Sequence, residues 1–61
     1  MRVPEHIAAA FHESYETLAP WFGYKTRDES AVPWDQVPES NKKLMIAVVE
    51  DLLERGIIQG V

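Results

Sequence analysis

Cysteine is absent from all 61 residues. That excludes disulfides, thiolate metal sites and a cysteine nucleophile, and it matches a reducing cytoplasm, where the protein is expected. Long apolar runs are also missing. Nothing nears the roughly 20 residues that span a bilayer, so no membrane partner is expected. The opening "MRVPEHIAAAFHESYE" places Glu5 and His6 inside the only stretch that could serve a signal peptide, so none is read there. Basic residues are in the minority: 6 Lys and Arg stand against 10 Asp and Glu, for a net charge of -4. An acidic surface repels phosphate backbones, so DNA and RNA are not expected partners. A single small phosphate-bearing ligand is still allowed, because it needs only one or two local cations.

What is present is enough for one domain over residues 1–61. The hydrophobic fraction, 46%, suits a globular chain and is too high for disorder. A chain this small keeps much of its surface wet and folds with a thin margin. Without disulfides or thiolate-bound metal, association with further copies is the expected remedy.

Two stretches carry helical periodicity. In "PEHIAAAFHESYETLA", Ile7, Phe11, Ser14/Tyr15 and Leu18 recur every three or four residues, the mark of one apolar helical face, and Ala8 and Ala19 widen it. Pro4 suits a first turn, where its missing N–H is not needed, and Glu5 matches the positive end of the helix dipole. Pro20 ends this helix or opens the short turn "PWFGY", with Gly23 as the breaker. In "PESNKKLMIAVVEDLLERG", Leu44, Met45, Val48, Val49, Leu52 and Leu53 form the apolar side. Pro38 is expected in the first turn, Ser40 as a capping hydroxyl, and Asp51 with Arg55 as an i,i+4 pair. Gly56 supplies the stop. Ile57 and Ile58 are expected to fold back on the helices or to meet a partner. The predicted fold is therefore mainly α: two antiparallel helices joined by a long, ordered, irregular loop. Val32, Trp34 and Val37 are spaced like anchors that pin this loop down.

Catalytic chemistry is poorly supplied. His12 and Glu16 have the i,i+4 spacing of metal ligands, but "HESYE" lacks the second histidine of HExxH and no third ligand is evident. His12 is otherwise a helix-face histidine bonded to a carboxylate or a loop carbonyl. Ser14, Ser30 and Ser40 have no nucleophile motif around them, and Asp28 and Glu29, adjacent in sequence, point apart. No enzyme activity, no metal and no cofactor are expected. The aromatics say more. Trp21, Phe22, Tyr24 and Trp34 cluster around the loop, with Lys25 and Arg27 among them. Aromatic faces beside a guanidinium can hold a base and a phosphate. The same rings can equally be the loop's own core, with Arg27 paired to Asp28 or Glu29.

The segment "GYKTRDESAVPWDQVPESNKKLMIAVVEDLLERGI" resembles the RyR domain, the repeat found in tandem in ryanodine receptors. Ile7, His12 and Glu13 match its first helix, and Gly23 and Tyr24 its turn. Arg27 and Asp28 match its charged loop. Val32, Trp34, Val37, Pro38 and Glu39 match the anchor and the helix start, and Gly56 and Ile57 the end. The resemblance covers nearly the whole chain but one repeat only, as in the stand-alone RyR-type proteins of bacteria and their viruses. The aromatics of "WFGY" are shifted from the family's Gly-Trp turn. The resemblance implies a half-unit completed by oligomerisation, since the receptor repeats pack as pseudo-twofold pairs. It also implies a cleft for an adenine nucleotide, which points to Trp34, Tyr24 and Arg27, and it implies no catalysis. Two functions follow as expectations. One is a homo-oligomeric module holding a nucleotide-like small molecule, with Trp21, Tyr24 or Trp34 stacking on the base, Arg27 and Lys25 meeting the phosphate, and His12 organising the loop. The alternative is a protein–protein or self-assembly module with no small ligand.

Overall fold

A computed structural model describes residues 3–59. Its element order is helix α1 (Val3–Leu18), a 3-10 turn (Ala19–Phe22), a second 3-10 turn (Trp34–Gln36) and helix α2 (Glu39–Glu54). The architecture is mainly helical, with no strand among the described residues and the two helices packed on each other. The C-terminal half of α1 and the N-terminal half of α2 line one cleft, so the helices run antiparallel.

Both helical segments stop the same way. After Phe22 the chain enters the left-handed region at Gly23 (φ 78°); Gly23 N–H donates to the Pro20 carbonyl at 3.1 Å, and Tyr24 N–H to Ala19 at 3.0 Å. After Arg55 it does so again at Gly56 (φ 70°), with Gly56 N–H bonded to Leu53 at 3.2 Å and Ile57 N–H to Leu52 at 3.0 Å. These crossed bonds satisfy carbonyls that a helix end leaves open, and glycine adopts the required φ without a Cβ clash. The other end of α2 differs from expectation. Pro38 is the cap residue itself, extended at φ -54° and ψ 142°, and its carbonyl receives the Lys42 N–H at 3.0 Å. No side chain caps this end, so the Ser40 hydroxyl does not have that role. Proline's fixed φ and lack of an N–H set the entry instead.

The buried cluster is Ala8, Trp34, Val37 and Val49, with Ile7, Val32, Met45, Ile46, Leu53 and Ile58 partly buried against it. The loop anchors Trp34 and Val37 thus belong to the core, with Val32 packed against it. A tryptophan ring buries about 200 Å², which at ~25 cal/mol per Å² is worth roughly 5 kcal/mol before ordering costs. That rivals the net stability of a small domain. Ile58 folds back on this cluster, whereas Ile57 stays exposed. Residues 60–61 of the tail lie outside the described region.

Only part of the expected apolar stripe is used inside: Ala8 and Ala19 are buried and Ile7 packs against the core. Phe11, Tyr15 and Leu18 are all at least half exposed, while Ala8, His12 and Ala19 are buried. On α2, Val49 is buried but Leu44 and Val48 are exposed. Helix α1 packs directly on α2, and the loop anchors join that core from the Ala8–His12 side of α1.

Candidate ligand cleft and apolar groove

An open cleft of about 440 Å³ lies between the end of α1 and the start of α2. Phe11, His12, Tyr15 and Glu16 come from α1; Lys25, Thr26, Arg27 and Ser30 from the loop; Asn41, Leu44 and Met45 from α2. Phe11 and Tyr15, one turn apart, stack with ring centroids 6.0 Å apart and planes 25° apart. One bond ties the loop to α1 beside them, and others brace the loop turn itself. The Thr26 hydroxyl donates to Glu16 Oε1 at 2.6 Å. The Arg27 carbonyl accepts the Ser30 and Ala31 N–H groups at 3.0 and 2.9 Å, plus the Ser30 hydroxyl at 3.2 Å. This turn holds the backbone of Arg27 while its side chain stays exposed. Among the described residues neither Lys25 nor Arg27 is in an ion pair, so Arg27 is not spent on Asp28 or Glu29.

His12 is only 4% exposed. Its Nε2 lies 2.7 Å from the Val32 carbonyl oxygen, which can only accept, so Nε2 carries the proton and donates. It organises the loop, as expected from sequence. Glu16 is engaged by Thr26 rather than shared with His12, and no group of three potential ligands from His, Cys, Asp or Glu gathers among the described residues.

The expected ligand residues therefore separate. Lys25 and Arg27 line the cleft, and His12 lines it while serving the loop. Trp34 does not present a stacking face: it is 7% exposed, tilted against His12 at 5.9 Å and covered by Lys42, whose Nζ sits 5.7 Å from the ring centroid. Lys42 is held there by the Asp35 carbonyl at 3.3 Å and lies 3.9 Å from Glu39. Burial of Trp34 thus corrects its assignment to a ligand; the ring latches the loop. Trp21 is 82% exposed and lines neither this cleft nor the groove described next. Tyr24 lines the groove rather than the cleft. The aromatic wall of the cleft is the Phe11–Tyr15 pair, which sequence reasoning put on an apolar helix face. Its i,i+4 spacing was visible in the sequence, but not that it would face the cationic loop.

Next to the cleft, sharing Phe11 and Tyr15 with it, runs an apolar groove of about 400 Å³ lined also by Ser14, Leu18, Ala19, Phe22 and Tyr24. No charged side chain lines it. Among the described residues, no helix is long and apolar enough to cross a membrane.

Fold and site together define a small two-helix protein with a latched loop, a cation-bearing cleft and an uncharged groove. No family model, curated protein or solved structure matches the chain.

Proposed function

We propose that this chain is a non-catalytic, RyR-like binding module that works as a homo-oligomer and takes a nucleotide-like anion in the cleft between α1 and α2. The observation that carries the reading is the convergence of Lys25 and Arg27 with the stacked Phe11–Tyr15 pair in one open cleft. An unpaired guanidinium suits a phosphate, and an exposed aromatic face suits a base. Asn41 at the α2 side adds an amide able to read polar edges. A binder without reaction chemistry would act by sequestering or sensing a signalling nucleotide in the cytoplasm.

Calorimetric titration with a panel of linear and cyclic nucleotides tests this. We expect binding that needs the phosphate, and Arg27→Ala should weaken it by at least about tenfold, the loss of one charge-assisted contact. Trp21→Ala should leave it unchanged. A flat response across the panel at millimolar concentration would sink the proposal. The second reading, self-assembly with no small ligand, is favoured by the uncharged groove and by the exposure of Phe22 and Leu44. It would stand if titration were flat while the protein still associated.

A further inference from the structure

We propose that Glu16 is a specificity-determining residue of the cleft, limiting it to a ribonucleotide with a single phosphate. This assignment rests on the cleft reading above and deepens it by naming the class of nucleotide.

Charge sets the limit. The cleft is lined by the cations Lys25 and Arg27 and by one carboxylate, Glu16. With histidine counted as uncharged, that leaves a single net positive charge. The carboxylate is held in place: Thr26, which stands between the two cations in sequence, donates its hydroxyl to Glu16 Oε1 at 2.6 Å. Glu16 is half-buried and, among the described residues, is in no ion pair. A carboxylate fixed beside two cations but not spent on them acts on an incoming anion in two ways. First, it repels surplus charge. One phosphate brings up to roughly -2, which two cations match, whereas a triphosphate brings about twice as much to the same pair. The chain's own net charge of -4 adds to that repulsion. Second, it offers an acceptor. Oε1 takes the Thr26 proton, while Oε2 accepts no hydrogen bond among the described residues, so a partly buried charged oxygen stands open to a donor. A ribose hydroxyl is such a donor, and carboxylates bind it this way in other nucleotide sites. Size agrees. At about 440 Å³ the cleft lies near the lower end of the range for ligand sites, and its aromatic wall is the one Phe11–Tyr15 stack.

Calorimetry at fixed ionic strength, with divalent ions chelated, tests the assignment. The probes are adenosine and guanosine 5′-monophosphates, their 5′-triphosphates, and the 2′,3′-dideoxy monophosphates. The wild type should bind the monophosphates at least about tenfold more tightly than either other set, the worth of one charge-assisted contact. Glu16→Gln keeps an oxygen for Thr26 and removes the charge. It should raise triphosphate affinity by about fivefold or more and shrink the preference for ribose. Glu13→Gln makes the same charge change on the same helix but outside the cleft lining, so both ratios should stay at the wild-type values. Circular dichroism should give both variants the helix content of the wild type. If triphosphates bind the wild type as tightly as monophosphates do, Glu16 sets no limit and the proposal is wrong, although the cleft still takes nucleotides. Ratios in Glu16→Gln equal to those of the wild type overturn it too. So does an equal change in Glu13→Gln, which would trace the selectivity to net charge. If no probe binds at all, the cleft reading itself fails and takes the assignment with it.

Discussion

His12 shows how one side chain can hold a loop. Its imidazole is buried beside Trp34, and its Nε2–H meets the Val32 carbonyl at 2.7 Å. Truncating it strands that carbonyl in the interior and opens space beside the indole. His12→Ala should therefore cost about 1–3 kcal/mol, the penalty for an unpaired buried polar group. Trp34→Ala removes the ring itself and should cost about 3–5 kcal/mol, enough to abolish cooperative unfolding in so small a chain. Urea titrations followed by circular dichroism check both. A His12→Ala midpoint equal to the wild type would mean the bond carries no stability. The exposed Asp51–Arg55 pair, at 3.4 Å, is by contrast worth a few tenths of a kcal/mol.

At the scale of elements, the ends matter more than the middles. Gly56 closes α2 at φ 70°, with nothing within 4 Å of where a Cβ would stand. The obstacle to a side chain there is backbone conformation alone. Gly56→Ala should destabilise by about 1–2 kcal/mol, the cost of a left-handed L-residue. A D-alanine placed at 56 by chemical synthesis should instead be neutral or stabilise by ~0.4–1 kcal/mol, because it restricts the unfolded chain without strain. Equal thermal midpoints for the L and D variants would refute this. The helix starts, stops and periodicities were legible in the sequence because capping and proline chemistry are local. The Pro38 offset and the idle Ser40 hydroxyl were not, because two residues can serve one helix start and packing chooses between them.

At the scale of the whole molecule, the interior is built by two packed helices and the loop anchored against them, and several large apolar side chains are left exposed. If a second copy covers them, the folded state is stabilised by mass action, and the thermal midpoint should climb as protein concentration rises. Scans at two concentrations about a hundredfold apart should differ by several degrees, since ~1 kcal/mol shifts a domain of this size by about 4–8 °C. A midpoint indifferent to concentration would argue that one chain is thermodynamically complete. The candidate site belongs to this scale as well. Lys25 and Arg27 could be picked out from sequence as cations beside aromatics. Their true neighbours, Phe11, Tyr15 and Asn41, could not, because the helices had first to be packed.

The sequence by itself determined two helices, their approximate ends, the anchoring of the loop by Val32, Trp34 and Val37, and an acidic chain without thiol chemistry. Each follows from local backbone preference, periodicity or composition. Only the tertiary structure decided which apolar residues are used inside. It buried Trp34 and exposed Phe11, Tyr15 and Leu18. The physical reason is that the second helix and the loop anchors together cover part of the first helix, and which of its residues they reach is set by packing. Periodicity says that a helix has an apolar side, but what covers that side depends on contacts between residues far apart in the chain.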